Sequence, residues 1–201
     1  MSSTPSPRTS RKREKIVDTA IALFSRHGIR RVTVEEICRE AGASKMTFYK
    51  YFPNKVELAK HIWNGWAEEG YARFKEIKAL DILFPRKIQM MLDYKMEFLS
   101  RIGPEFVAEC LRADSKLREF VQQLRAESRQ QFLAFMLKAQ QRGDMRPEMR
   151  PEFVMAVLDK LIEMADDAHL QEIYADPVEL IREINHFFCY GVLPEPGSDS
   201  G

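Results

Sequence analysis

Lys45, Thr47, Tyr49, Lys50 and Tyr51 place two ammonium groups and three hydroxyls within one stretch of seven residues. So dense a set of donors suits hydrogen bonding to base edges and phosphate oxygens. Further cations crowd the same end of the chain: Arg11, Lys12, Arg13 and Lys15 share one short stretch, and Lys45 and Lys55 each open a predicted helix. Exposed cations at a helix N-terminus oppose the macrodipole, at about 0.3–1 kcal/mol each. A phosphate reverses the sign of that penalty, because helix N-termini and cations both attract it. Departures from local rules gather at functional sites, so these residues point to contact with an anionic backbone.

Other chemistries find little support. Cys38, Cys110 and Cys189 are odd in number and far apart, with no Cys-x-x-Cys spacing and no histidine close by. His27, His61, His169 and His186 form no pair four residues apart, and His169 and His186 read as structural. No metal site, disulfide framework, catalytic cluster or cofactor is expected, and reduced thiols suit a cytoplasmic location. No nucleophile elbow, phosphate-binding loop or dinucleotide fingerprint occurs. The opening Met-Ser-Ser-Thr-Pro-Ser-Pro-Arg has no apolar core for a secretory signal, and no run approaches the roughly 20 apolar residues that span a bilayer.

The donors and cations need elements to hold them. Ile16, Val17, Ala20, Leu23 and Phe24 form one stripe on a helix predicted over residues 11–27; Gly28 ends it, with Ile29 covering Phe24. Thr33-Val34-Glu35-Glu36 has the spacing of a capping box, with Val32 and Ile37 as its hydrophobic staple. That helix stops at Ala41-Gly42, and Ser44 caps a short helix over residues 45–52. Gly42-Ala43-Ser44 is then the tight turn of a helix-turn-helix, which holds a recognition helix against a major groove. Pro53-Asn54 breaks the chain again, and Asn54 with Glu57 caps a longer helix to about residue 74, Leu58 packing behind. Phe48 and Phe52 read as core, Thr33 as a cap whatever else it does, and Tyr51 partly as packing.

Beyond this point helices are expected over 84–102, 105–111, 115–142, 152–168 and from 176 to about 190. Gly103-Pro104, Gly143-Asp144 and Pro151 mark the breaks. Residues 1–9 hold few apolar groups and, like residues 194–201, read as a disordered tail. The chain is therefore expected to be all-α, with about nine helices and no internal repeat.

Net charge is only +1 over the 201 residues, which on its face disfavours a nucleic-acid partner. The average conceals a segregation. Residues 1–60 hold 13 Lys and Arg against 6 Asp and Glu, a net +7, and the remaining chain is −6. A basic head joined to an acidic body fits contact with a polyanion at one end only.

The run Thr33-Val34-Glu35-Glu36-Ile37-Cys38, followed by Ala41-Gly42-Ala43-Ser44-Lys45-Met46-Thr47-Phe48-Tyr49-Lys50-Tyr51-Phe52-Pro53-Asn54-Lys55-Val56-Glu57-Leu58, resembles the DNA-binding domain of the TetR (tetracycline-repressor) family of bacterial transcriptional regulators. The rest of the chain is similar only in helical architecture. The resemblance implies that Thr33, Tyr49 and Lys55 touch phosphates. It places Ser44, Lys45, Met46, Thr47 and Lys50 nearest base edges or their flanking phosphates, with Tyr51 beside them. Arg11, Lys12 and Arg13 would add backbone or minor-groove contacts. Two residues depart from the family pattern: Met46 stands where a small residue is common, and Cys38 where alanine is. Met46 is placed to touch a thymine methyl.

The resemblance also implies an organisation: a helix-turn-helix domain over 10–55 and an effector-binding and dimerisation domain over 56–193. The predicted helix 152–168 is apolar on two sides, one line through Phe153, Val157, Leu161 and Met164 and another through Val154, Leu158, Ile162 and Ala165. So wide a stripe suggests a second covered surface; burial within the monomer is the other reading. The family forms its dimer from the last two helices, which here gives Val154, Val157, Leu158, Leu161, Ile162, Ile181, Ile184 and Phe188 as interface residues. Its effectors bind between the middle helices, where Trp63, Trp66, Met91, Tyr94, Phe98, Phe106, Cys110, Phe132, Phe135 and Met136 are large and polarizable; each alone also reads as core. The function implied is a ligand-responsive repressor that binds a pseudo-palindromic operator as a homodimer and is released by a small apolar or amphipathic effector. The alternatives are an all-helical carrier or enzyme with a vestigial head, and a DNA-binding architectural protein without an effector.

Overall fold

Ile16, Ala20, Leu23 and Phe24, the stripe that defines the first helix, are all buried in the computed structural model. It describes residues 7–102, 110, 112, 114–164, 167–174, 179–180, 183–184 and 187. Among these residues every regular element is helical: α1 (Pro7–His27), α2 (Val34–Ala41), α3 (Lys45–Tyr51), α4 (Lys55–Ala79), α5 (Phe84–Ile102), α6 (Ser115–Gln141), α7 (Pro151–Met164) and α8 (Ala168–Ile173). The described residues thus hold eight helices rather than nine. The short helix expected over 105–111 and most of the last one fall outside them.

Three boundaries differ from expectation, each for a local reason. α1 begins at Pro7, so residues 7–9, expected in a tail, are helical; proline suits a first turn, where its missing N–H has no partner to lose. α4 runs on to Ala79 because Ile77 extends the buried stripe one turn past Phe74. The helix expected over 152–168 ends at Met164, and α8 starts separately. There Asp167 accepts hydrogen bonds from the backbone N–H of His169 (3.0 Å) and Leu170 (3.1 Å), an N-cap that opens a new helix.

The chain divides into two compact units: Met1–Ala72 with Phe98–Arg125, and Arg73–Glu97 with Ala126–Gly201. In the first, α1, α2 and α3 pack on one another around Phe24, Ile37 and Phe48, which are fully buried. Residues 10–55 do not close this core alone. Leu58, Ile62 and Trp63 of α4, with Ile102, Cys110, Leu117 and Val121, fill the same cluster. So short a head has too little interior to stand without such support. Trp63 and Trp66 pack edge to face with centroids 5.5 Å apart, Trp66 meets Phe98 at 5.7 Å, and the Trp63 indole N–H donates to the Cys110 Sγ at 3.4 Å.

The second unit is built around Phe135 of α6, whose ring lies 5.4 Å from Phe84, 5.7 Å from Phe74 and 6.1 Å from Phe132. Met91, Met136 and Met145 are buried in the same cluster. An ion pair between Arg129 and Asp159 ties α6 to α7. The Gln140 amide donates to the carbonyls of Arg146 (3.0 Å), Pro147 (3.1 Å) and Met149 (2.6 Å), which holds the loop after α6.

The residues expected to line an effector pocket divide between the two cores. Trp63, Trp66, Phe98 and Cys110 belong to the first core; Met91, Phe132, Phe135 and Met136 belong to the second. Tyr94 is half-buried, and Phe106 lies outside the described residues. Residue type marks a side chain as large and soft, but not which core it joins. The expected dimer residues differ in their exposure. Val154 is 0% exposed and Leu158 and Ile184 are buried with it inside their own unit, so they have almost no surface to offer a partner. Val157 is half-buried. Leu161 and Ile162 lie on α7 with their side chains outside the described ones, and Ile181 and Phe188 are outside the described residues altogether. Among the described residues from α7 onward, the large apolar groups left open are Phe153 (62% exposed), Met164, Ile173 and Phe187.

Candidate nucleic-acid interface

α2 and α3 are short, and each is fixed at its start by its own cap. The Thr33 Oγ1 accepts from the Glu36 N–H at 3.1 Å while the Glu36 carboxylate accepts from the Thr33 N–H at 3.5 Å, the reciprocal pair the spacing predicts. At the other end Gly42 adopts φ 62°, and the Gly42 and Ala43 N–H groups return to the carbonyls of Arg39 and Cys38 at 3.3 and 2.9 Å. This is a Schellman closure, and a side chain at Gly42 would strain it by about 1 kcal/mol. Ser44 then accepts from the Thr47 N–H at 3.1 Å, and the two hydroxyls share a hydrogen bond of 2.9 Å. Asn54 caps α4 through the Glu57 N–H at 2.9 Å.

Phe48 anchors α3. It is fully buried, with Phe52 at 5.9 Å and Tyr49 edge-on at 5.4 Å. With Phe48 inward, the remaining turns of α3 face out: Met46 is 82% exposed, Tyr49 is 53% exposed, and Lys45 and Lys50 are exposed with them. Thr47 and Tyr51 are half-buried, the Lys50 ammonium lying 6.0 Å from the Tyr51 ring. A seven-residue helix is thereby held from behind while its front carries two cations, a phenol and a thioether.

The cations of the head are not equivalent. Arg11 and Lys12 lie exposed on α1. Lys45 pairs with Glu35 of α2. That hydrogen bond and its charge attraction hold the Glu35 carboxyl below, and the Lys45 ammonium above, their ordinary values. Arg13 is exposed but engaged: its guanidinium sits 5.7 Å from the Phe52 ring and donates to the His61 Nδ1 at 3.2 Å. Burial first, and the Arg13 charge second, push the His61 pKa below its usual value, against a weaker upward pull from Glu68. Lys55 is half-buried and donates to the carbonyls of Val32 at 2.7 Å and Arg30 at 3.3 Å. The sequence marked Arg13 and Lys55 as cations for a phosphate; the structure places both in contacts within the first unit. It also brings in Glu35 and His61, which the sequence did not single out. Glu35 and Lys45 lie on different helices, and His61 is 48 residues from Arg13, so no periodicity links them. Among the described residues no cluster of His, Cys, Asp or Glu is disposed to hold a metal ion, and no helix is long and apolar enough to cross a membrane.

Residues 16–62 match the family model of bacterial regulatory proteins, tetR family. The HTH-type transcriptional regulator YuxN of Bacillus subtilis is 36% identical over 67 residues, 33% of this chain and 23% of that protein. An HTH-type transcriptional regulator of Staphylococcus aureus is 26% identical over 110 residues, 55% of this chain and 58% of its own length. The chain thus spans well under two thirds of the curated relatives it matches. Over most of the chain the likeness is one of fold: the transcriptional regulator FadR of Bacillus subtilis, solved in complex with stearoyl-CoA, superposes with a TM-score of 0.71 at 16% identity, covering 89% of this chain and 98% of that one. The family likeness in sequence is thus carried by residues 16–62.

Proposed function

We propose that the chain is a ligand-responsive repressor that binds a pseudo-palindromic operator as a homodimer. One observation carries the reading: α3 is locked from behind by Phe48 and turns Lys45, Met46, Tyr49 and Lys50 outward, ready for a major groove. The Thr33 hydroxyl accepts a cap bond and retains a proton able to reach a phosphate oxygen, and the hydrogen-bonded Ser44–Thr47 hydroxyl pair keeps one such proton between them. Arg11 and Lys12 add charge on the same unit, and the acidic remainder of the chain keeps DNA from other faces. Residues 10–55 form the reader and residues 56–193 the effector and dimer part.

Dimerisation uses the open line of α7. Phe153 and Met164 are exposed, and half-buried Val157 lies between them. Two copies then set their recognition helices about 34–36 Å apart, one helical turn of DNA. The effector is small and apolar or amphipathic, taken up among the ring- and methionine-rich side chains of residues 56–193. The stearoyl-CoA held by the Bacillus FadR is one ligand of that character on the same fold. An effector lowers operator affinity only by favouring a separation of the two reading helices that does not fit the groove.

The test is binding to the DNA upstream of the protein's own gene across a salt series, with sedimentation alongside. A dimer whose affinity for one duplex exceeds that for scrambled DNA by roughly a thousandfold or more supports the reading. A monomer, or equal affinity for both duplexes, overturns it. Mass spectrometry of ligand carried through purification, followed by release of the duplex on adding it back, tests the effector.

A further inference from the structure

We infer that Lys55 is a positioning residue: it fixes the loop that leads into α2 and so sets the geometry of the reading helices. This deepens the DNA-binding reading above and rests on it. The Lys55 ammonium donates to two backbone carbonyls, Val32 at 2.7 Å and Arg30 at 3.3 Å, from the far side of the helix-turn-helix, 23 and 25 residues away in sequence. That loop also packs Ile29 and Val32 into the core. It leaves α1 through Gly28 at φ 76°, and its own turn is closed by a long bond from the Val32 N–H to the Gly28 carbonyl at 3.4 Å.

The residue after Val32 is Thr33, whose carbonyl accepts from Ile37 at 3.1 Å and whose hydroxyl accepts from Glu36 at 3.1 Å. The first turn of α2 is therefore suspended between the staple side chain of Val32, fully buried, and the carbonyl of the same residue, held by Lys55. Charge-assisted bonds of this kind are stronger than neutral ones, more so when half-buried. A cation at the first position of α4 opposes that helix's dipole; two carbonyls aimed at it supply the compensation without any ligand. Because α2 passes directly through Gly42 into α3, a shift at Val32 is carried to Lys45, Met46 and Tyr49.

A phosphate contact and a positioning role leave different signatures. Losing one phosphate contact lowers the slope of log affinity against log salt by about 1, whereas a displaced reader loses affinity at unchanged slope. The experiment compares full-length wild type with Lys55→Met and Lys55→Arg in two arms. In the first, without DNA, amide hydrogen exchange at Glu36 and Ile37 is expected to quicken in Lys55→Met and to be largely restored in Lys55→Arg, while the Phe135 amide is unmoved. In the second, Lys55→Met binds the upstream duplex about tenfold more weakly with the wild-type salt slope. Unchanged exchange at Glu36 and Ile37 overturns the inference, as does a slope lower by about 1 with exchange intact, which returns Lys55 to the phosphates. If Lys55→Met does not fold, Lys55→Arg and Lys55→Gln are compared in its place, the glutamine expected to exchange faster. A wild type that binds no duplex removes the DNA-binding reading, and the exchange arm still decides whether Lys55 holds the loop.

Discussion

In the first unit, Thr33, Ser44 and Asn54 each hold the start of a helix with a side-chain oxygen. In the second, the long helices meet along their sides, through the rings around Phe135. Their cores differ in the same sense. The second buries Met91, Met136 and Met145, while the described residues of the first core are Ile, Leu, Val, Ala, Phe, Trp and Cys with no methionine. Caps and branched side chains fix one geometry; unbranched thioethers repack at low cost. The contrast teaches that a surface which must present a few atoms in register is built from end-fixing bonds. A region that accommodates other shapes can be built from soft side chains.

Five substitutions would break or sharpen that contrast. The largest effect is expected from Phe135→Ala, which removes the shared ring of the second unit and should cost about 3–5 kcal/mol by calorimetry. Met136→Leu beside it should cost under about 1.5 kcal/mol, and a loss as large as that of Phe135→Ala would show that the second core is not adaptable. Thr33→Ala, in the first unit, should lose about 1 kcal/mol of stability in urea unfolding together with DNA affinity. Unaltered stability there would remove the capping account.

A smaller effect involves His61. Its native pKa lies below the usual value near 6.5. Above that value both the folded and unfolded chains hold it neutral and its contribution is complete. As the pH falls the unfolded chain takes up the proton first, so stability is lost until the folded value is passed. Wild type should therefore lose more stability than His61→Gln between pH 7.5 and 5. Identical pH slopes would mean that neither burial nor the Arg13 charge lowers the His61 pKa. The smallest effect on stability is expected at Met46→Ala, within about 0.5 kcal/mol because the side chain is exposed. Its readout is base preference in a selection from randomised duplexes, and an unchanged consensus would remove Met46 from the reading face.

The same division explains what could be read from the sequence. The Thr33–Glu36 spacing, Gly42 and Ser44 announce α2 and α3 because the atoms that fix those helices lie within a few residues of one another. The partners of Arg13, Lys45 and Lys55 lie on other elements, so identical-looking cations give no hint of which find a partner within the protein. On α7, Phe153 and Val154 are adjacent and both apolar, yet one is open and the other fully buried; only the neighbouring helices decide between them. Asp167 escaped notice as a cap because the helical pattern seemed to run through it.

The Trp63 indole, donating to the Cys110 thiol and stacked edge-on with Trp66, has a spectroscopic consequence. These are the only two tryptophans in the chain, and both lie in the first unit. Intrinsic fluorescence excited in the indole band therefore reports on that unit alone, with the neighbouring thiol as a built-in quencher. A brightening of emission marks the parting of Trp63 from Cys110. Where the emission transition precedes or follows the loss of circular dichroism, the two units unfold separately, and a single melting temperature no longer describes the protein.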